Sequence, residues 1–183
     1  EDEAARDLYI ASCPCDGRNL QFIVNRQPGD AFNDQVFNGS LSKQTVLLKG
    51  PTGDFLLHEE STAAAVFLAS GPGFAPIKSL LEQAINTDTA GGLHLIQHNC
   101  YPMDSFLDKL CRAWNDSLEN FLYTVISESG DLKSLIELLA ASIAGDSKVD
   151  IYVAGPSNWL SMLLDAARSA GLKAQDWRCL AID

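Results

Sequence analysis

The sequence predicts an α/β fold: a five-stranded, doubly wound parallel sheet, preceded by part of an antiparallel β-barrel or sandwich. Three observations predict it. From about residue 65 onward, short apolar runs alternate with amphipathic helical stripes. The first 60 or so residues instead hold β-like runs separated by turn signals. Finally, a glycine-proline loop follows the first and the fourth of these apolar runs. Open parallel sheets bind ligands at the ends of their strands, where such loops lie.

The five predicted strands of the second part are almost continuously apolar, as strands covered on both faces of a parallel sheet are. They are AVFLA (65–69), LHLIQH (93–98), FLYTVI (121–126), VDIYVA (149–154) and WRCLAI (177–182). Between them, apolar residues recur at i, i+3, i+4 and i+7 in four stretches that begin near Ile77, Phe106, Leu132 and Leu160. This alternation predicts parallel strands joined by helical crossovers on both faces of the sheet.

The first part is assigned to residues 1–60 and the α/β domain to residues 61–183, with a polar linker at residues 58–62. Its β-like runs are DLYIAS, NLQFIVNRQ and TVLLKG, and only residues 32–37 suggest a helical turn. Three strands are too few for an independently stable domain. The sequence therefore predicts part of an antiparallel barrel or sandwich rather than a complete domain.

The composition excludes several classes of function. A net charge of −11 argues against a nucleic-acid binder and against a polybasic membrane anchor. No apolar run approaches the roughly 18–20 residues of a membrane span. The five cysteines are scattered and form no CxxC pair, which indicates neither a disulfide framework nor a zinc site. Cys13 and Cys15 are expected to be turn residues, and the cytoplasm is the expected compartment.

Two loops carry the predicted chemistry. Residues 70–73 follow the first strand and residues 154–157 follow the fourth, and each loop leads directly into a helix. Helix N-termini favour phosphate because their N–H groups and positive dipole ends point at it. Either loop alone is more simply interpreted as a glycine turn, and Pro72 has no N–H to offer. Together on one sheet edge, they favour a nucleotide site.

Four ordered motifs, together with one short glycine-containing segment, carry a resemblance to a known family. GPTGDF (50–55) is similar to its GPxGxF stretch, and ASGPGFAPIKSLL (69–81) resembles GGTGIAPxxSLL. IYVAGPSNWLSMLL (151–164) resembles VYxCGPxxMxxxV, and RDLYIASCP (6–14) resembles RxYSIASSP. PGD (28–30) lies where the family has a glycine-rich segment that meets the flavin diphosphate. The sequence thus resembles the ferredoxin–NADP reductase superfamily over essentially its whole length.

The resemblance implies an electron-transfer flavoprotein, in which the α/β domain binds a nucleotide and the partial antiparallel β-barrel is of the flavin-binding type. NADH docks on the α/β domain and passes hydride to FAD, which releases single electrons to an iron–sulfur or haem partner. The family pattern assigns no certain catalytic residue and no metal. The cofactor-binding positions it implies are Arg6, Leu8, Tyr9, Gly29, Asn33, Gly50 and Gly53 for the flavin part, and Gly71, Pro72, Gly73, Ser127, Glu128, Ala154, Gly155 and Pro156 for the nucleotide part.

Several of these positions depart from the family pattern. Leu8 replaces a tyrosine that packs on the flavin ring, and Tyr9 does not substitute for it, because a one-residue shift in a strand turns the side chain to the other face. Asn33 replaces a serine of the flavin-phosphate segment. Pro72 replaces a threonine and Ala154 replaces a cysteine near the nicotinamide. The last two changes are expected to weaken hydride-transfer geometry.

The residues after the third predicted strand indicate which nicotinamide nucleotide is bound. Relatives that use NADPH place a Ser-Arg pair where this sequence has Ser127 and Glu128. A carboxylate repels a 2′-phosphate and accepts a hydrogen bond from a ribose 2′-OH, which favours NADH.

The barrel strands that precede Arg6 in relatives are not in the sequence. Either it is a fragment, or a second polypeptide completes the barrel, or flavin binding is lost. The alternative function is that of a non-catalytic regulatory or assembly relative.

Overall fold

A computed structural model describes residues 6–26, 28–98, 105–126, 132–144 and 148–182. Its helices and strands, in chain order, are α1 (Ala31–Phe37), β1 (Ala64–Ser70), α2 (Phe74–Thr87), β2 (Leu93–His98), α3 (Ser105–Ser117), β3 (Phe121–Ile126), α4 (Leu132–Ile143), β4 (Val149–Pro156), α5 (Ser157–Ser169) and β5 (Arg178–Ile182). Short 3-10 turns cover Gly71–Gly73 and Ala174–Asp176. None of the helices in the described ranges is both long and apolar enough to cross a bilayer.

The five strands form one parallel sheet in the order β3-β2-β1-β4-β5, which confirms the predicted fold of the second part. Phe67 at the centre of β1 lies opposite Leu95 of β2 and Tyr152 of β4. The chain builds outward from β1 to β3 on one side and then returns to place β4 on the other side of β1. The switch point, where an open α/β sheet opens a crevice for ligands, therefore lies between β1 and β4.

Alternate residues of the central strands supply two apolar cores. Ala65, Phe67 and Ala69 of β1 contribute to a core built with α2 and α3. Val66 and Leu68 contribute to a second core built with α4 and α5. Because both faces of the sheet are covered, the strands have no polar face. This explains the continuous apolar runs of the sequence.

The part of the chain before β1 does not show the predicted barrel. Among its described residues, the structure has the seven-residue helix α1 and one antiparallel bridge, between Ile10 and Phe22. The predicted strands DLYIAS, NLQFIVNRQ and TVLLKG do not form a ladder here. A strand is stabilised by its neighbours, and Leu47 in the third run is 98% exposed. The domain bounds 1–60 and 61–183 remain predictions.

The expectation of no disulfide was wrong at one position. Cys13 and Cys15 are joined as a disulfide in the turn around Pro14, with a Cα–Cα distance of 5.1 Å. This distance is within the usual range for bonded cysteines. The residues are nevertheless turn residues, as expected, because the N–H of Asp16 donates to the carbonyl of Cys13 at 3.0 Å.

His94 links the sheet to α4 through two hydroxyl groups. Its Nδ1 lies 3.0 Å from the hydroxyl of Ser142, which itself donates to the carbonyl of Leu138 at 2.8 Å. Since that hydroxyl proton is used, the imidazole Nδ1–H is the donor, and Nε2 accepts from the hydroxyl of Thr124 at 2.9 Å. The structure thus uses neutral His94, and burial lowers its pKa below the ordinary value.

This arrangement predicts that stability is lost at mildly acidic pH. A histidine whose pKa is lowered by folding contributes its full stability above its unfolded pKa of about 6.5 and loses it as the pH falls through the folded value. The melting temperature of the wild-type chain is therefore expected to fall below about pH 6.5 more steeply than that of His94→Asn. Thermal denaturation across this range measures the difference. Parallel curves for the two proteins would contradict the prediction.

Candidate functional site

The two glycine-proline loops meet at the switch point of the sheet. Gly73 is buried, and a Cβ built on it would lie 2.0 Å from the carbonyl oxygen of Ala154 and 2.7 Å from the nitrogen of Gly155. Only a residue without a side chain allows the two backbones to pack so closely. The predicted approach of the loops on one edge is therefore realised by direct backbone packing.

The loop between β1 and α2 is open above its first glycine. Gly71 has φ +51°, in the left-handed region, and a Cβ there would meet nothing within 4 Å. Pro72 is the second residue of the 3-10 turn, and the N–H of Phe74 donates back to the carbonyl of Gly71. Pro72 and Pro76 have no N–H, so the helix entry presents fewer donors than an ordinary helix N-terminus. The loop can meet a phosphate mainly through the backbone of its two glycines.

A serine, a histidine and a tryptophan lie together on the other side of this edge. The hydroxyl of Ser70 is 3.4 Å from Nδ1 of His98, which ends β2. The His98 ring stacks on Trp159 with a centroid separation of 5.6 Å. A Cβ on Gly155 would lie 2.7 Å from the indole Cε3, so the glycine also makes room for Trp159. From sequence, His98 reads as an ordinary strand-end residue and Trp159 as packing. Their positions at the ends of the predicted second and fourth strands were the sequence signal that could have identified both residues as part of the site.

Trp159 also carries an unpaired polar atom. Its side chain is buried, and its indole N–H has no hydrogen-bond partner in the described part of the chain. A buried donor left without a partner costs about 1–3 kcal/mol, so such a group calls for an explanation. The indole nitrogen itself is closed to solvent, so the open space above Gly71 is the feature that fits a nucleotide at the edge.

The residues implied for the flavin phosphate come together around Asp30. Its carboxylate pairs with the guanidinium of Arg6 and accepts from the backbone N–H of Asn33 at 2.9 Å, which caps α1. Asn33 is buried, and Gly29 has φ +82° in the adjacent turn. The structure therefore collects the three candidates Arg6, Gly29 and Asn33, but it also places a carboxylate on Arg6. Asp30 was missed as part of this cluster, although PGD was singled out.

The remaining candidates are more dispersed. Leu8 and Tyr9 are half-buried in the segment that follows Arg6. Gly50 and Gly53, with φ of +139° and +109°, lie in an exposed stretch outside the helices and strands. Ser127 and Glu128 lie outside the described residues.

Within the described ranges, the structure shows no metal centre, and the buried Cys111 is not a reactive thiol. Among the described residues, no three His, Cys, Asp or Glu side chains lie close enough to hold a metal ion. Cys111 is fully buried between α3 and the sheet, and burial together with the nearby Asp108 carboxylate raises its pKa to about 12. Its thiol is therefore protonated at neutral pH and is not a nucleophile.

Comparison with curated proteins identifies relatives among reductases. The chain is 33% identical over 126 residues to a CDP-6-deoxy-L-threo-D-glycero-4-hexulose-3-dehydrase reductase from Yersinia pestis, covering 69% of this chain and 38% of that protein. It is 31% identical over 139 residues to the electron transfer component of xylene/toluene monooxygenase from Pseudomonas putida, covering 73% and 39%. The chain thus spans about two fifths of the length of these relatives. No protein-family model matches it.

Solved structures agree on the fold. A ferredoxin NADP⁺ reductase from Neisseria gonorrhoeae with bound FAD and NADP superposes with a TM-score of 0.70 at 14% identity, covering 96% of this chain and 79% of that one. An Amycolatopsis cytochrome P450 reductase superposes with a TM-score of 0.72 at 16% identity, covering 98% and 57%. The sheet order and the paired loops define the class of this α/β unit, which has the fold of the NAD-binding domain of such reductases. The chain belongs to the ferredoxin reductase-like FAD/NAD(P)-binding family, and it is related to the reductase components of oxygenases.

Proposed function

We propose that this chain is the reductase module of an electron-transfer system, which takes reducing equivalents from NADH through FAD to an iron–sulfur or haem partner. The observation that carries the proposal is the backbone contact of Gly73 with Ala154 and Gly155 at the switch point. The two loops form a single edge there, beside the open space above Gly71. Each loop leads into a helix, and helix N-termini suit a polyanionic nucleotide.

In this proposal, the nucleotide lies along the edge. The backbones of Gly71 and Gly73 meet its phosphates, and Pro72 limits the donors available. Ala154, Gly155 and Pro156 form the opposite wall. Ser127 and Glu128 follow the β3 residues in the sequence, and the Glu128 carboxylate favours an unphosphorylated ribose, hence NADH over NADPH.

The flavin part of the proposal depends on the segment before β1. Arg6, Gly29 and Asn33 are the groups to hold the FAD phosphates, with Leu8 and Tyr9 beside the ring and Gly50 and Gly53 closing the barrel. FAD, when bound, exchanges two electrons with NADH and single electrons with an acceptor. An N-terminal segment or a second polypeptide completes the barrel. Support comes from the solved reductases, whose superposition covers 96% of this chain and so reaches most residues before β1.

A second candidate function is that of a non-catalytic regulatory or assembly subunit. The specific observation that favours it is the pairing of Arg6 with Asp30, which satisfies the cation expected to bind the flavin phosphate. The departures from the family pattern at Leu8, Pro72 and Ala154 also favour a non-catalytic subunit. This candidate predicts a chain that takes up no FAD and binds NADH weakly or not at all.

Tryptophan fluorescence tests the nucleotide site. NADH absorbs where tryptophan emits, so its binding at the sheet edge is expected to quench Trp159. A titration of the wild-type chain with NADH should show saturable quenching, which is reduced by more than half in Trp159→Phe. The Kd of NADH is expected to be at least about tenfold lower than the Kd of NADPH, because the Glu128 carboxylate repels the 2′-phosphate.

Two further variants and a flavin assay complete the test. Trp114→Phe and Trp177→Phe are matched controls and should retain the quenching. FAD uptake with NADH-driven reduction of ferricyanide supports the reductase. NADH quenching without FAD uptake, or neither, would favour the non-catalytic relative.

A further inference from the structure

Lys78 is a buried cation in the second turn of α2. Its side chain is 7% exposed, although the helix around it belongs to an apolar core. Its ammonium donates to the carbonyl of Ala11 at 2.9 Å, to the side-chain oxygen of Gln21 at 3.3 Å and to Glu82 at 2.5 Å. An ammonium has three protons, and all three are used here. Burying this charge costs free energy that an apolar residue would avoid, so its role is more specific than filling space.

Two neighbours of Lys78 on the helix hold the same segment. The hydroxyl of Ser79 donates to the carbonyl of Ser12 at 2.7 Å. The backbone N–H of Cys13 donates to the carboxylate of Glu82 at 3.1 Å. Backbone groups of three consecutive residues, 11 to 13, are therefore held by residues 78, 79 and 82. We call these three helical residues the α2 clamp.

We propose that the α2 clamp positions the segment of residues 6–13 relative to the loop between β1 and α2. This inference rests on the proposed function, because that segment includes the flavin candidates Arg6, Leu8 and Tyr9. The helix that carries the clamp begins at Phe74, directly after the nucleotide loop. At 1.5 Å per residue, Lys78 lies only about 6 Å along the axis from the start of the helix. One rigid helix thus connects the two halves of the proposed site.

Transfer between two bound cofactors is sensitive to such a connection. Reacting atoms need to approach to about 3–3.5 Å, and a misplacement of about 1 Å can cost about a hundredfold in rate. The clamp does not touch the reacting groups, so its members are positioning residues. Their loss should change the rate of flavin reduction while the affinity for NADH, which is bound by the loops, stays the same.

Hydrogen–deuterium exchange of the wild-type chain and Lys78→Met provides the primary test. Backbone amides in a peptide spanning residues 8–22 are expected to exchange at least tenfold faster in the variant, while peptides from β1 and β4 exchange as before. In the FAD-loaded protein, flavin reduction by NADH should slow by about 10- to 100-fold with the Kd of NADH within twofold. Lys133→Met is the matched control, because Lys133 forms the same i,i+4 pair with Glu137 at 3.8 Å but is 80% exposed.

A double variant separates positioning from charge balance. Lys78→Met with Glu82→Met removes both charges and is expected to recover the melting temperature, yet it leaves the carbonyl of Ala11 and the N–H of Cys13 without partners. Fast exchange in residues 8–22 should therefore persist. Ser79→Ala, a milder change, should give a smaller acceleration and keeps the test available if Lys78→Met does not fold.

Unchanged exchange in Lys78→Met and Ser79→Ala overturns the inference, and so does restored protection in the double variant. The proposed function fails separately. If the wild-type chain takes up no FAD, the reductase is excluded, whereas the exchange measurements still decide whether the clamp holds the segment.

Discussion

Gly73→Ala is expected to lower the free energy of unfolding by about 3 kcal/mol and to weaken NADH binding by more than tenfold. The added methyl would lie 2.0 Å from the carbonyl oxygen of Ala154 and 2.3 Å from its carbon. These are backbone atoms that no rotamer change can move, so the loops must separate, and overpacking of this kind costs about 1–3 kcal/mol or more. Urea denaturation measures the first effect and the NADH fluorescence titration measures the second.

Gly17→Ala is the matched control for this change. Gly17 lies in the exposed turn after Cys15, its φ is not positive, and a Cβ there would meet nothing within 4 Å. The free energy of unfolding should change by less than about 0.5 kcal/mol. Equal stability of Gly73→Ala and Gly17→Ala would show that the two loops do not pack as described.

Phe67→Ala is expected to cost about 3–5 kcal/mol, a large fraction of the stability of a domain of this size. Phe67 is fully buried at the centre of β1, and its ring stacks on Tyr152 of β4 with centroids 5.0 Å apart. Removing it leaves a cavity between the two strands whose ends carry the nucleotide loops. Urea denaturation should show a lower midpoint, and NADH quenching should weaken as the loops lose their support.

Leu122→Ala controls for the loss of an apolar side chain from the sheet. Leu122 lies on the edge strand β3 and is 53% exposed, so its truncation should cost well under half as much as that of Phe67. A Phe67 variant as stable as the Leu122 variant would be inconsistent with a core centred on the contact between β1 and β4.

The parallel sheet was readable from the sequence because its signal is local. LHLIQH and FLYTVI match β2 and β3 residue for residue, since a strand buried on both faces is marked by its own apolar run. The meeting of the two loops also followed from topology alone. In a parallel sheet, loops after strands share one edge, and β1 and β4 are neighbours at the switch point.

The part before β1 was less predictable because its stability depends on partners. The run TVLLKG is as β-like as any strand of the sheet, yet it pairs with nothing that the structure describes. The Cys13–Cys15 bond was not predicted because the cysteines are scattered and form no CxxC pair. Lys78 was passed over because helical periodicity assigns it to a polar position. Glu82, four residues later, was the available signal for a paired cation.

The exposed run before the sheet has a consequence for the behaviour of the chain at high concentration. Val46, Leu47 and Leu48 are 56%, 98% and 55% exposed, and such β-prone apolar stretches promote intermolecular strand pairing and precipitation. Lys43 and Lys49 flank them, as charged gatekeepers flank aggregation-prone segments in many proteins. The net charge of −11 adds long-range repulsion between molecules, which salt screens. Colloidal stability of the chain therefore depends on low ionic strength as much as on its fold.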